Sequence, residues 1–142
     1  MKFILDWTLL ITMWLLVNIS TAVAGELPIP LPLNHQVSDT LTEKDIPMEQ
    51  NGFARDYAVK LSAGDNITIE LMSDSFDTIV TLLAPDGSTV AENDDGPDGT
   101  TNAFLFTQIT KTDTYIIRVH AFGVTGVGPF KLKVTRLRPV RS

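Results

Sequence analysis

The chain has 142 residues, no cysteine, and 17 acidic against 11 basic residues, for a formal net charge of −6. That length suits one domain able to bury a core without staples. The missing cysteine rules out a disulfide framework, a thiolate zinc site and a cysteine nucleophile. The acidic balance argues against nucleic acid as a partner, because phosphate contacts need a basic face.

The N-terminus opens with Met1-Lys2, continues as an apolar run from Trp7 to Val17 broken only by threonines, and reaches the small–x–small pattern Ala22-Val23-Ala24. This is the order of a secretory signal peptide. The run falls short of the roughly 20 residues that span a bilayer. Residues 1–24 therefore read as a signal peptide cleaved after Ala24, which predicts a secreted or periplasmic protein. Asp6 weakens the positive n-region, so an uncleaved membrane anchor is the second reading, and membrane contact is expected only in that case. Lys2 and Asp6 cancel, so the mature chain keeps the full net charge.

Residues 25–36 begin GELPIPLPL, and prolines at alternate positions forbid a helix and favour an extended spacer. From Val37 to Leu137 short runs with period two recur between Gly, Asp, Asn and Pro clusters, as in strands joined by turns. Tyr57 to Leu61 alternates. Ile67, Ile69 and Leu71 share one face and Thr68 and Glu70 the other. Thr78 to Leu83 is more continuously apolar, as in a sandwich core. Ala84-Pro85-Asp86-Gly87 is a turn in which Pro presets φ and Gly accepts a positive one, and Ser88 to Glu92 returns from it. Ala103 to Thr107 follows. Thr114 to His120 points Tyr115, Ile117 and Val119 one way, and Phe130 to Arg136 turns Phe130, Leu132 and Val134 inward and Lys131 and Lys133 outward. No stretch after Gly25 carries a 3.6-residue apolar period. Seven or eight such strands predict an all-β antiparallel sandwich or barrel. Residues 138–142 form a basic tail.

Charge is polarised along the chain. No Lys or Arg lies between Lys60 and Lys111, a stretch holding nine acids, whereas Lys111 to the end has seven basic residues and one acid, Asp113. A β-sandwich interleaves such halves, so part of the asymmetry is expected to cancel.

The ordered pieces Asp56-Tyr57, Leu61-Ser-Ala-Gly64-Asp65, Ile67-Thr-Ile69, Ser75-Phe76-Asp77, Leu82-Leu83-Ala-Pro85-Asp86-Gly87, Asn93-Asp94-Asp95, Thr114-Tyr115-Ile-Ile-Arg-Val119 and Gly128-Pro-Phe130 span nearly all of the mature chain. In this order the sequence resembles the bacterial pre-peptidase C-terminal domain, a jelly-roll β-sandwich related to the collagen-binding domains of clostridial collagenases. The resemblance implies a non-catalytic module, usually appended to secreted proteases, here standing alone. Two positions depart from the family pattern: Asp113 stands where Gly is usual, and Phe130 where Tyr is usual.

Asn93, Asp94, Asp95 and Asp98, with Asp77 nearby, form the best site candidate. Adjacent carboxylates repel unless donors or a cation lie between them, and calcium prefers oxygen ligands from flexible loops. Some members of the resembled family bind calcium through such loops. The spacing fits no helix–loop–helix or glycine–aspartate calcium repeat. A turn with Asp side chains bonding backbone amides is the stronger reading, and a calcium site the second.

His35 falls in the spacer, and His120 points away from the core by strand alternation. There is no nucleophile-elbow G-x-S-x-G, so the chain reads as non-catalytic. Phe122 to Gly128 is glycine-rich but lacks the Lys-Ser/Thr of a phosphate loop; it predicts a flexible hairpin loop, with a ligand-contacting rim as the alternative. The expectation is an exported binding or accessory module for a protein or polysaccharide, stabilised by calcium in the second reading of the acidic loop, or else a maturation or inhibitory partner of a separate secreted peptidase.

Overall fold

The computed structural model describes residues 27–32, 34–50, 52–94, 99–123 and 125–137. The predicted signal segment 1–24 and the basic tail 138–142 lie outside the described residues. Among those described, the chain is all β. Its strands are β1 (Ile29–Pro30), β2 (Gln36–Leu41), β3 (Ile46–Pro47), β4 (Phe53–Leu61), β5 (Asn66–Met72), β6 (Thr78–Leu83), β7 (Thr89–Asn93), β8 (Ala103–Gln108), β9 (Asp113–Ala121) and β10 (Gly128–Leu137).

They form two stacked sheets. The first runs β1-β4-β9-β6-β7, with β3 also on β4, and the second runs β2-β10-β5-β8. All pairings are antiparallel except β1 with β4. The alternation predicted from the sequence becomes the core. Tyr57, Val59 and Leu61 of β4, Val80 and Leu82 of β6, and Tyr115, Ile117 and Val119 of β9 pack against Ile67, Ile69 and Leu71 of β5 and Phe130, Leu132 and Val134 of β10. Side chains that alternate along a strand bury one face only, which is why period two was legible. The Phe130 ring stands edge-on to Tyr57, with centroids 6.3 Å apart, and to Phe76 at 6.4 Å. Phe130 therefore serves as a ring in a packed cluster.

The structure corrects three sequence expectations. The runs named as strands are β4 to β10; the two-residue strands β1 and β3, too short to show a period, and the six-residue β2 are not among them. The supposed spacer 25–36 joins the sandwich in its described part: Ile29–Pro30 pairs with β4, and the Leu31 amide donates to the Ala58 carbonyl at 2.9 Å. Proline is tolerated there because an edge strand has one side with no donor to supply. In the glycine-rich 122–128 stretch, Gly126 and Gly128 pack closely on their neighbours where a flexible hairpin loop was expected. A Cβ on Gly126 would lie 2.3 Å from that of Ala121, and one on Gly128 would lie 2.4 Å from that of Ser75. Asp113 needs no left-handed backbone, since the only non-glycine positive φ among the described residues is at His35; it opens β9 and accepts the Thr114 amide at 2.8 Å.

Part of the charge asymmetry cancels across the interleaved strands. Lys133 faces Glu70 at 3.9 Å and Arg136 faces Asp65 at 3.7 Å, each pair joining the base-rich end to the acid-rich stretch.

Gly128 has φ +138° as well as its contact with Ser75. Gly128→Ala is expected to destabilise the fold by about 2 kcal/mol. Adding Ser75→Gly should return only the steric part, as read from thermal or urea melts.

Candidate functional site

The outer face of the first sheet holds an unusual set of polar side chains. The register places Ala54, His120 and Ile79 in one cross-strand row and Asp56, Arg118, Thr81 and Glu92 in the next. These are the positions left over when the alternating partners Tyr57, Ile117, Val119 and Val80 go into the core.

In the second row the Arg118 guanidinium donates from Nε to Asp56 Oδ1 and from Nη2 to Asp56 Oδ2, both at 2.8 Å. A two-bond fork of this kind neutralises both groups and fixes their orientation. The bonds from Asp56 outweigh burial and raise the Arg118 pKa above its ordinary value. Asp56 is buried, so the pair forms part of the floor.

His120 Nε2 lies 3.1 Å from Thr81 Oγ1, and the Thr81 hydroxyl donates to Glu92 Oε2 at 2.5 Å. A hydroxyl has one proton, and a carboxylate can only accept. With that proton on Glu92, His120 must supply the proton between itself and Thr81, which assigns the Nε2–H tautomer and leaves Nδ1 an acceptor. Burial, foremost, holds the His120 pKa below its ordinary value, and the Arg118 charge adds to this against the opposing pull of Glu92 and Asp56. The trio is not a catalytic triad. In a triad the carboxylate holds the far imidazole nitrogen and the hydroxyl gives its proton to the near one. Here Glu92 sits on the Nε2 side, 3.9 Å from that nitrogen, and takes the hydroxyl proton itself.

Above these rows lies an open cleft of about 770 Å³. Arg118, His120 and Ile79 are at its floor, Met48, Glu49 and Phe53 along one side, and Glu92 and Phe122 along the others. The Gly52 Cα sits so close to the Gly123 carbonyl oxygen that an added Cβ would lie 3.1 Å from it, so the two rims meet there. Phe122 is 65% exposed, the most exposed aromatic ring among the described residues.

A second polar cluster ties the sheets together at one end. Arg55 bonds Asp39 at 2.7 Å and Asp45 at 2.8 Å, and the Tyr57 hydroxyl donates to Asp39 at 2.7 Å. Burial raises the Asp39 pKa, but the bonds from Tyr57, the Thr40 amide and Arg55 outweigh it and hold the carboxyl below its ordinary value. This cluster is structural, since each of its charges is already partnered.

The predicted acidic site is only partly placed. Asp95 and Asp98 lie outside the described residues. Asn93 donates from Nδ2 to the Phe104 carbonyl at 2.7 Å and accepts the Asp94 amide at 2.9 Å, so its side chain bridges β7 to β8. Asp94 and Asp77 are exposed. Among the described residues no three His, Asp or Glu side chains gather as a metal site. On the second sheet a groove of about 640 Å³ opens wider to solvent, and its Ser73 and Asn102 are committed to Pro129 and to the Ser73 amide.

The sequence reading singled out His120 but not Arg118, Thr81 or Glu92. The available signal was Arg118-x-His120, two polar residues sharing the outward face of a strand whose other face is apolar.

Residues 54–121, from β4 through β9, match the family model of the bacterial pre-peptidase C-terminal domain. Over these residues the chain is similar to that family. That family comprises accessory domains found with secreted peptidases. Two solved structures share the fold. One is the pre-peptidase C-terminal domain of a collagenase from Bacillus anthracis, 14% identical, with a TM-score of 0.57, covering 77% of this chain and 95% of that one. The other is Aeromonas hydrophila PliG, a periplasmic inhibitor of g-type lysozyme, 16% identical, with a TM-score of 0.58, covering 78% and 96%. No curated protein sequence matches the chain.

Two acid limbs of stability follow. For His120 the unfolded chain takes up a proton first as pH falls below about 6.5, so the stability tied to the neutral ring is complete above that value and is lost on acidification. His120→Gln should flatten the fall in melting temperature between about pH 7 and about pH 5. For Asp39 the contribution is present above 3.8 and is lost as pH drops through its lower folded value. Asp39→Asn should lower stability at neutral pH and remove that part of the acid limb.

Proposed function

We propose that this chain is an exported, non-catalytic binding module that holds a protein partner at the cleft on the outer face of its first sheet. The observation that carries the reading is the cleft itself. Its apolar rim, Met48, Phe53 and Phe122, surrounds a floor whose charged pair Asp56–Arg118 is already satisfied. That pair can be dried by a partner without stranding either of its charges, and a concave patch with a few placed polar groups is the usual form of a binding site.

The family background supports the same reading. Domains of this family are typical of exported proteins, and one structural neighbour is a periplasmic inhibitor of another protein. The predicted signal peptide supports secretion or a periplasmic location, with retention by an uncleaved N-terminal segment as the alternative. A partner that is itself a secreted peptidase is the second reading, favoured by the usual company of this family. A polysaccharide ligand has weaker support: the opposite sheet exposes Phe106, and Phe104 is its outward neighbour on β8. Calcium held by Asp94, Asp95, Asp98, Asn93 and Asp77 is part of the proposal on the adjacency of carboxylates in the sequence alone, and a rise in melting temperature at millimolar calcium would carry it.

The test is a photo-crosslinking residue placed at Phe122 or, separately, at Phe106, in protein exported by its own cell. One defined protein adduct from position 122 and none from position 106 is the expected result. An adduct from position 106 alone, or a glycan in place of a protein, would overturn the cleft reading. If the captured protein is a peptidase, the second reading holds.

A further inference from the structure

We propose that the cleft receives a basic side chain of the partner, arginine in preference to lysine, with its stem along Met48 and Ile79 and its charged end among the carboxylates of Glu49 and Glu92 and the ring of His120. The inference rests on the protein-binding reading above and names the chemistry of that same site.

The charges at the cleft decide the sign of the ligand. Arg118 is the one cation among the described lining residues, and both oxygens of Asp56 are bonded to it. It therefore has no unmatched charge to offer an anion. Glu92 is 53% exposed, and its Oε2 accepts the Thr81 hydroxyl, which leaves Oε1 for a donor. Glu49 is exposed at the rim. The cleft thus carries an excess of negative charge, in a protein whose net charge is −6. An anionic group entering it would be repelled.

The hydrogen-bonding inventory points the same way. The Thr81 proton is spent on Glu92 and the His120 Nε2 proton on Thr81, so the free capacity of the trio consists of acceptors, Nδ1 of His120 and Oε1 of Glu92, beside the three N–H groups that Arg118 does not give to Asp56. A ligand without donors would leave these groups unpaired once water is excluded, at a cost of the full desolvation of each. A ligand with several donors on one charged plane satisfies them together.

The remaining lining is apolar and aromatic. Phe53 is half-buried beside Met48 at one side, Phe122 stands at the other, and Ile79 adds an apolar part to the floor. Aromatic faces attract cations, guanidinium more often than ammonium, and methylene stems pack on apolar walls. Arginine combines a planar fork of donors, a permanent charge and a three-carbon stem, whereas lysine brings a compact ammonium that is harder to dehydrate. A purely apolar side chain would match the walls but not Glu92 and His120.

The experiment titrates the isotope-labelled protein with Nα-acetyl-arginine amide, followed by amide chemical shifts. Three probes serve as comparisons: the citrulline analogue, which keeps the shape and loses the charge, and the lysine and glutamate analogues. Expected shifts fall on residues 46–50, Phe53, Ile79 and 118–123, with an affinity of about millimolar. The citrulline analogue should bind about fivefold more weakly or less, as should arginine to Glu92→Gln or Phe122→Ala. Phe122 is too exposed for its truncation to unfold the domain, so that variant remains readable if Glu92→Gln is destabilised. Equal binding of citrulline, tighter binding of the glutamate analogue, shifts elsewhere, or none at tens of millimolar would overturn the proposal. A crosslinked protein at position 122 together with failed arginine binding would sink this inference alone. Arginine binding with no protein adduct would instead sink the partner reading.

Discussion

Strand β9 has a neighbour on each side, β4 and β6, and both of its faces are thereby committed. Its inward residues Tyr115, Ile117 and Val119 close the core against the second sheet. Its outward residues Arg118 and His120 must then lie among the outward residues of β4 and β6, where the register sets Arg118 between Asp56 and Thr81, and His120 between Ala54 and Ile79 with Thr81 as its diagonal polar neighbour. A one-residue slip would send every one of these side chains to the wrong face. The core and the cleft are therefore fixed by the same register: whatever holds Ile117 in the interior also holds Arg118 opposite Asp56.

The polar groups follow a common logic. Arg118 is matched by Asp56, Arg55 by Asp39 and Asp45, and His120 by a hydroxyl that bonds onward to Glu92. No buried side-chain nitrogen or oxygen among the described residues lacks a partner. Buried charge is costly unless paired, and these pairs sit at the edges and outer face of the sandwich rather than in its middle. The long acid-rich stretch does not become an acidic hemisphere, since Lys133 and Arg136 return on β10 beside Glu70 and Asp65. Part of the negative charge that stays uncompensated lies by the cleft, at Glu49 and Glu92.

A β-sandwich of this family gives a rigid frame and says little about use. The collagenase domain and the lysozyme inhibitor share the frame with this chain at identities that establish fold alone. The difference between one use and another lies in the surface features: the rim formed by 46–50 and 121–123, and which side chains alternate outward beneath it. The glycines of the second rim show how closely that surface is built, since Gly126 packs where a methyl group would strike Ala121 and Phe76.

By itself the sequence determined the strands from β4 to β10, the inward set on each, the turn at Ala84–Gly87 and the family, because period two and turn chemistry are local properties of the chain. It could not show β1 or β3, which are too short to have a period, or that a proline segment would pair with β4. It drew attention to the acidic run at Asn93–Asp98, where charges are adjacent in sequence, and passed over Arg118, Thr81 and Glu92, which are far apart in it. Only the pairing of β4, β9, β6 and β7 brings those residues together with Asp56 and His120. Cross-strand register is set by how two distant segments share a core, and no stretch of either segment contains it.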